Sequence, residues 1–228
     1  MEIKYLMKFS CNEAYSDDLI KGKLYMNAAG YYHHLEAGQG DPCEGNLYGN
    51  SAFYQNLSKP IYCMYTVYDS DIHSDGIHIP DRIIMDFCGS DGWLVLIPYQ
   101  QFKAALLQSE NAFEGCAYRF GEVTYKTLLL EDTKYFISSG KMDNLFFKHP
   151  CFHYQHEFRV AVGASLPCRY GKMELDGQMV KCIDHSQPYE SKIFNIGSLE
   201  KIAKKIRIAD LQHCDGYYLL SINQFEQE

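Results

Sequence analysis

The sequence predicts an α+β domain with a split, mostly antiparallel β core and short flanking helices. Short apolar segments of strand length recur along the chain, and the segments with helical character between them are short. The 228 residues contain no internal repeat, low-complexity tract or obvious linker. We therefore expect residues 1–228 to form one domain, which is a length sufficient to bury a substantial core.

The first part of the chain predicts a strand, a helix, a second strand and a second helix. These segments are, in order, residues 2–10, Asn12–Lys21, Leu24–Asn27 and 28–36. Gly22 marks the end of the first helix, because glycine commonly follows a helix C-terminus. A glycine-rich polar loop over residues 38–46 follows, and its length suits either a plain connector or a ligand-facing loop.

The middle of the chain predicts mainly strands. The expected strands are Pro60–Asp69, Arg82–Phe87, Trp93–Ile97 and Val123–Tyr125. The run Trp93–Ile97 is apolar throughout, which is typical of a central strand. A polar loop is expected over Ser70–Asp81, and Pro98 predicts the start of a helix through Gln100–Gln108, since proline is favoured at a first helical position.

The segment Tyr154–Val162 carries the most informative pattern in the chain. Phe158, Val160 and Val162 alternate with Arg159 and Ala161, which predicts a strand with one face on the core. Residues at i and i+2 project to the same side of a strand. We therefore expect Gln155 and Glu157 to present an amide and a carboxylate together at the start of this strand.

The last part of the chain predicts a hairpin, a helix and a strand. Asp176-Gly177 is a favourable hairpin turn. A helix is expected near Leu199–Lys205, and Tyr217–Ile222 predicts a final strand. The basic residues in this region indicate the solvated face of that helix rather than a binding patch; they are Lys201, Lys204, Lys205 and Arg207.

Composition limits the classes of function. The formal net charge is −8, with no long basic run, which argues against broad electrostatic capture of nucleic acid. The N-terminal residues lack a signal-peptide pattern, and no apolar run reaches membrane-spanning length. The nine cysteines are an odd number and are scattered. Together these features predict a cytoplasmic protein with reduced thiols and no membrane association.

Metal binding is not predicted. His149, Cys151 and His153 occupy alternate positions and could face one way on an extended segment. Structural zinc sites, however, take four ligands from paired short spacings, and the sequence contains no Cys-x-x-Cys pair.

Several short motifs resemble the ADP-ribosyltransferase-like superfamily, and more closely a group of small bacterial and phage proteins. The motifs are Leu24-Tyr25-Met26-Asn27, Gly40-Asp41-Pro42-Cys43-Glu44, Gly121-Glu122-Val123-Thr124-Tyr125, and Phe147-Lys148 through Tyr154-Gln155-His156-Glu157-Phe158-Arg159. The resemblance covers most of the chain, and its most specific element is the strand that carries Glu157.

The resemblance implies transfer of ADP-ribose from NAD to a nucleophile, with release of nicotinamide. Breaking the nicotinamide–ribose bond develops an oxocarbenium-like charge that a carboxylate beside the ribose can stabilise. Glu157 takes that role in the implied site, and Gln155 positions the acceptor. Lys8 stands where the superfamily usually has Arg or His, and it could contact a phosphate or ribose as a point charge.

The resemblance also implies the surroundings of the NAD molecule. Tyr25, Asn27, Tyr31 and Tyr32 lie where the superfamily places residues around the nicotinamide, and a tyrosine face could stack on that ring. Arg159 is expected to pair with a nearby carboxylate and to brace the site.

Three functions from different classes follow as alternatives. The first is a transferase, plausibly a toxin or phage-conflict enzyme, with NAD as substrate, a nucleic acid or protein as acceptor, and an antitoxin or inhibitor as a further partner. The second is a relative that binds NAD or another nucleotide without transfer, or that only hydrolyses NAD. The third is an interaction protein with neither chemistry. An enzyme requires Glu157 in a cleft, a binding protein requires only the cleft, and a scaffold requires neither.

Overall fold

The structure, a computed structural model, describes residues 1–35, 40, 54–127, 142–175, 178–183 and 189–221. Its strands, in chain order, are β1 (Ile3–Ser10), β2 (Lys23–Ala28), β3 (Pro60–Tyr68), β4 (Gly76–Pro80), β5 (Trp93–Pro98), β6 (Tyr118–Glu122), β7 (Thr124–Tyr125), β8 (Phe147–Lys148), β9 (Glu157–Val162), β10 (Tyr170–Leu175), β11 (Gln178–Ile183), β12 (Lys192–Asn195), β13 (Lys204–Arg207), β14 (Gln212–Cys214) and β15 (Tyr217–Ser221).

The helices are few and short. The α-helices are α1 (Glu13–Ile20), α2 (Tyr54–Leu57), α3 (Asp81–Phe87) and α4 (Tyr99–Gln108). The 3-10 helices are Ala29–His34, Asp69–Asp71, Glu110–Phe113, Met142–Phe146, Pro150–Gln155 and Ile208–Asp210. This confirms the predicted α+β class with a mostly antiparallel core. No helix in the described ranges is long and apolar enough to span a membrane.

One large antiparallel sheet organises the molecule, and β3 is its branching strand. The order of strands is β12-β2-β3-β1-β5-β13, and β9 and then β6 continue from the other edge of β3. Along its first edge, β3 pairs with β2 at Pro60–Ile61 and with β1 at Tyr65–Tyr68. Neither β1 nor β2 pairs with residues 62–64 of β3 in that register, so the sheet divides at this point.

The core lies on both sides of β9. Phe158, Val160 and Val162 pack in the main hydrophobic cluster, whereas Ala161 packs on the other face against Leu145. All six residues of β9 are buried. The expectation of one buried face was therefore wrong, because β9 is an interior strand between β3 and β6 and the 3-10 helix Met142–Phe146 contributes residues that cover its second face.

The N-terminal elements confirm the predicted order, with one difference. Asn12 caps α1 by accepting a hydrogen bond from the Ala14 N–H, and Gly22 follows the helix with φ of 81°. A Cβ at Gly22 would lie 1.7 Å from the Gly197 carbonyl oxygen, so this position needs glycine for space as well as for its backbone angle. The helix expected over residues 28–36 is the short 3-10 helix Ala29–His34.

Two predictions between residues 70 and 87 were wrong. The segment Arg82–Phe87, expected as a strand, belongs to α3, which buries Ile83 and Ile84 and exposes Met85. The loop expected over Ser70–Asp81 contains β4, which pairs with β15. A short apolar run does not by itself distinguish a strand from one face of a short helix.

The helix expected near Leu199–Lys205 was also wrong. Lys204–Arg207 form β13, which pairs with β5 at the edge of the sheet. Lys205 lies there over α1 and donates to the carboxylates of Glu13, at 2.8 Å, and Asp17. The expected basic helix face is thus partly an edge strand on which Lys205 is paired with acidic residues of α1.

The predicted helix after Pro98 is confirmed as α4, and the predicted hairpin is confirmed by its strands. β10 pairs with β11 from Tyr170–Ile183 to Leu175–Gln178, and the turn residues 176–177 themselves lie outside the described residues. The last predicted strand is β15, which pairs with β14 and β4 in a separate three-stranded sheet. Most of the loop over residues 38–46 also lies outside the described residues, including Asp41 and Glu44.

Candidate functional site

A cleft opens where the large sheet divides. It is bounded by the end of β1, alternate residues along β2 and residues 62–64 of β3, and buried residues of β8 and β9 form what we call its floor. Its volume is about 470 Å³. This lies within the range of about 300–1,000 Å³ that is usual for small-molecule sites.

Glu157 is held at the floor of the cleft by two cations. Arg159 Nε donates to Glu157 Oε1 at 2.5 Å, and Arg159 Nη2 donates to Oε2 at 3.1 Å. Lys148 Nζ also donates to Oε2, at 3.2 Å. The Arg159 side chain is fully buried and Glu157 is 7% exposed, so these are buried ion pairs. Arg159 pairs with a carboxylate as the sequence predicts, and its Nη1 donates to the Leu145 carbonyl at 2.5 Å.

This environment fixes the ionisation of Glu157. Burial alone would raise the pKa of its carboxyl group. The positive charges of Arg159 and then Lys148, with hydrogen bonds from Arg159 and Cys63, outweigh burial and hold the pKa of Glu157 well below its usual range. Glu157 is therefore a fixed anion at neutral pH.

The side chains of Gln155 and Glu157 lie close together as predicted, but not because both residues belong to one strand. Gln155 ends the 3-10 helix Pro150–Gln155, and His156 then turns the chain into β9 with a left-handed backbone, φ 39°. Lys148 bridges the two side chains, because its Nζ also donates to Gln155 Oε1 at 2.8 Å. Lysine can only donate, so this contact sets the orientation of the Gln155 amide.

Lys8 lies on the other side of the division in the sheet. Its Nζ donates to the Cys63 carbonyl at 2.8 Å and lies 4.6 Å from the centre of the Tyr62 ring. No carboxylate in the described part of the chain forms an ion pair with Lys8. Burial lowers the pKa of Lys8. Lys8 pairs with Val95 of β5, whereas the pairing of β1 with β3 ends at Met7, so Lys8 lies at the division of the sheet with its other edge unpaired in that register.

Tyrosine rings form one wall of the cleft. Tyr25 stacks on Tyr15 with ring centres 5.7 Å apart, and Tyr31 meets Tyr32 edge to face at 5.5 Å. All four rings line the cleft, as does Asn27. Burial raises the pKa of Tyr31, and the neighbouring Tyr25 and Tyr15 raise it further, so Tyr31 lies close to the stacked pair.

The structure therefore brings together all eight residues that the sequence singled out, although one of them, Arg159, is fully buried. Lys8, Tyr25, Asn27, Tyr31, Tyr32, Gln155, Glu157 and Arg159 all line the same cleft. Arg159 lies beneath the carboxylate rather than at the open surface, since its side chain is fully buried.

Sequence reasoning did not single out the other lining residues, and three of these contact the predicted site residues or stack on them: Lys148, Cys63 and Tyr15. Lys148 lies nine residues before Glu157, at a spacing that no strand or helix period predicts. Cys63 occupies the gap between β1 and β2 on β3, and that gap is visible only in the strand register. Tyr15 lies near the start of the first predicted helix, close to the end of the first predicted strand. That position was the one feature of the sequence that could have indicated it.

The histidines before β9 do not lie on an extended segment as expected. Residues 150–155 form a 3-10 helix that starts with Pro150, and the Cys151 N–H donates to His149 Nδ1 at 3.3 Å. Among the described residues, no group of three or more His, Cys, Asp or Glu side chains could hold a metal ion. The seven cysteines with described side chains are free thiols.

Comparison of the chain with protein-family models, with curated proteins and with solved structures finds no match.

Proposed function

We propose that this protein is an NAD-dependent ADP-ribosyltransferase of the ADP-ribosyltransferase-like superfamily that acts inside the cell. The observation that carries the proposal is the position of Glu157. A carboxylate fixed as an anion lies in a cleft at the division of a β-sheet. Tyrosine rings line the same cleft, as does Lys8, which forms no ion pair with a carboxylate of the described residues.

The cleft suits a dinucleotide with planar rings and a diphosphate. Tyr25, Tyr31 and Tyr32 offer ring faces and edges against which the nicotinamide packs, and Asn27 adds an amide for its carboxamide group. Lys8 supplies positive charge to a phosphate oxygen. An ammonium group serves here as a point charge without the two-pronged geometry of arginine.

The chemistry assigned to Glu157 is electrostatic. The bond between nicotinamide and ribose breaks with its electron pair moving to nicotinamide, which leaves as a neutral ring. The carboxylate stabilises the positive charge that develops on the ribose. A pKa held well below the usual range suits this role, because Glu157 is ionised throughout the neutral pH range.

Gln155 and Arg159 support that carboxylate in different ways. Gln155 shares Lys148 with Glu157 and directs its amide towards the acceptor. Arg159 is a positioning residue, since both of its contacts with Glu157 come from beneath the floor of the cleft. The acceptor is a nucleic acid or a protein, and a toxin or phage-conflict role would bring an antitoxin or inhibitor as a partner.

A second candidate function is binding of NAD or another nucleotide without transfer. The observation that favours it is that the Glu157 carboxylate already accepts nearly all the hydrogen bonds that it can. Arg159 and Lys148 donate three hydrogen bonds to its two oxygens, Cys63 adds a fourth, and a carboxylate accepts about four in all. A ribose hydroxyl must then displace one of these bonds.

Nicotinamide release from NAD by the purified protein tests the proposal. The reaction is run alone and with cell lysate, beside Glu157→Gln. We expect release that depends on lysate and is lost in the variant, which identifies a transferase. Equal release without lysate identifies an NAD hydrolase. NAD binding by calorimetry without any release contradicts the transferase and supports the second candidate.

A matched control separates chemistry from folding. Glu114 is also paired with a lysine, Lys192, but it lies on the surface with 62% of its side chain exposed. We expect Glu114→Gln to release nicotinamide at the rate of the original protein. Circular dichroism of Glu157→Gln verifies that it is folded, and Gln155→Ala provides a second variant in the cleft that leaves the buried ion pair intact.

A further inference from the structure

A second cavity lies beside the start of β9 and shares no described lining residue with the cleft. Its volume is about 270 Å³, which suits a small ligand rather than a dinucleotide. Four aromatic side chains line it, and we call them the aromatic box: Tyr68, Tyr125, His153 and His156. Asp71 lies beside them in the lining. Aromatic rings together with a carboxylate favour a positively charged ligand.

The rings of the aromatic box meet at large angles, as the walls of a box do. His153 contacts His156 with ring planes 81° apart, and Tyr125 contacts His153 with ring planes 65° apart. The planes of Tyr68 and His156 are also 65° apart. Parallel rings would cover one another, whereas rings at these angles enclose a space. The negative faces of such rings attract a cation that enters the space.

Two carboxylates lie at the aromatic box without a paired cation. Asp71 Oδ2 accepts a hydrogen bond from the Tyr68 N–H at 2.9 Å, and Glu122 Oε1 accepts one from the Tyr68 hydroxyl at 2.5 Å. Neither carboxylate forms an ion pair with a basic side chain or with the amino terminus in the described part of the chain. Their negative charge is therefore available to a cation from outside the protein.

His156 does not supply that cation. Burial lowers the pKa of His156 more than the Asp71 carboxylate raises it, so this imidazole is neutral at neutral pH. Tyr68 stays protonated, because burial and its hydrogen bond to Glu122 raise its pKa. A metal ion does not fit, since no group of three or more His, Cys, Asp or Glu side chains in the described ranges could hold one. Neutral rings beside unpaired carboxylates favour an organic cation.

From these observations we infer that the aromatic box is a binding site for an organic ammonium ion. The methyl or methylene groups of such an ion pack against the rings, and its charge is attracted by the ring faces and by Asp71 and Glu122. A free ammonium compound and a methylated lysine side chain of a protein share this chemistry. The site is independent of the proposed transferase function.

The aromatic box adjoins the proposed catalytic residue. The Tyr125 hydroxyl accepts a hydrogen bond from the Glu157 N–H at 2.8 Å, and His156 directly precedes Glu157 with a left-handed backbone. Tyr65 lies between the two cavities, since it lines the cleft and stacks on His156 with ring centres 5.6 Å apart. A ligand in the box therefore lies against the segment that carries Glu157.

Choline and its uncharged isostere test the site. The isostere is the alcohol in which a tert-butyl group replaces the trimethylammonium group, so the two probes differ in charge and hardly in shape. Binding to the purified protein, without NAD, is measured by nuclear magnetic resonance titration. We expect choline to bind with a Kd of about 1 mM or lower, and at least about tenfold more tightly than the isostere. Equal affinities, or no saturable binding of choline, overturn the inference.

Two forms of the ammonium group identify the source of the ligand. A peptide with one trimethyllysine is compared with free choline. Binding of the peptide that is at least about tenfold tighter assigns the site to a protein side chain. Equal or weaker binding of the peptide assigns it to a small compound. If neither ligand binds, the ammonium site is ruled out.

Contacts in the complex show which cavity the probe occupies. The aromatic box contains two histidines, whereas the described lining of the cleft contains none. We expect nuclear Overhauser contacts between the choline methyl groups and the ring protons of His153 and His156. Tyr15→Leu removes a ring from the cleft and should leave choline affinity unchanged. Contacts with cleft residues instead, or a loss of affinity in Tyr15→Leu, contradict the assignment to the box.

Variants of the aromatic box separate the effects of ring, charge and folding. Tyr68→Phe keeps the ring and removes the hydrogen bond to Glu122, whereas Tyr68→Leu removes the ring. We expect choline affinity to fall by about tenfold in Tyr68→Leu and by less than about threefold in Tyr68→Phe. Asp71→Asn should weaken choline binding by about threefold and leave binding of the isostere unchanged.

Circular dichroism verifies that each of these variants is folded. Unchanged choline affinity in folded Tyr68→Leu shows that the ring does not bind the cation and overturns the inference. Equal losses for choline and its isostere in Asp71→Asn show that the carboxylate does not act through charge, with the same consequence.

Discussion

Two clusters of ionisable side chains in this molecule use similar groups in opposite surroundings. At the floor of the cleft, Glu157 is 7% exposed and Arg159 is fully buried. On the three-stranded sheet, His78 lies 3.0 Å from Asp75, and these side chains are 27% and 50% exposed. The buried cluster cannot lose one partner without leaving an uncompensated charge, whereas water replaces a lost partner in the exposed one.

The aromatic contacts of the two clusters lie in different surroundings. The rings of His73, His78 and Tyr217 stack in sequence with centres 4.1 Å apart at each step, on the surface of the small sheet. In the cleft, Tyr15 also stacks on Tyr25 and Tyr31 meets Tyr32 edge to face, but these rings line the same cavity as Glu157. The proposed function therefore concerns the cleft.

The largest expected effect is loss of stability on neutralising the buried carboxylate. Glu157→Gln leaves the buried Arg159 guanidinium without a counter-charge from that position. We expect the free energy of unfolding to fall by about 3–5 kcal/mol. Denaturant unfolding followed by circular dichroism measures it. An unchanged midpoint would show that the Leu145 carbonyl and the amide oxygen introduced at position 157 suffice for Arg159, and would remove the contrast between the clusters.

Acidification should remove the same contribution from the original protein. The folded-state pKa of Glu157 is depressed, so its contribution to stability is fully present above the unfolded value of 4.5 and declines as the pH falls towards the folded-state pKa. We expect the difference in unfolding free energy between the original protein and Glu157→Gln to be constant from about pH 8 to about pH 5 and to shrink below about pH 4.5. A difference that grows on acidification would contradict the depressed pKa.

The smallest expected effect belongs to the exposed cluster. Asp75→Asn removes the carboxylate that contacts His78 on the surface of the small sheet. We expect no measurable change in the unfolding midpoint at neutral pH and no change in nicotinamide release, because water screens the lost contact. A loss comparable with that of Glu157→Gln would show that exposure does not separate the two clusters.

Local patterns identified the strand that carries Glu157 but not some of the other elements. The alternation from Phe158 to Val162 identified β9 and thereby Glu157 as a polar residue at the start of a buried strand. The same reasoning failed for Arg82–Phe87, since a short apolar run fits a strand or one face of a helix. It failed for Lys204–Arg207 because pairing with β5 outweighed local preference.

The sequence by itself determined the α+β class and the strand that carries Glu157. Both follow from periodicity and from residue type, which are local properties of the chain, whereas Lys8 and the tyrosines of the cleft were singled out by a family resemblance. Only the tertiary structure decided the ionisation of Glu157 and the orientation of Gln155. Lys148 and Arg159 approach that carboxylate from β8 and β9, and the low dielectric constant that strengthens their effect exists only once both elements are packed in the core.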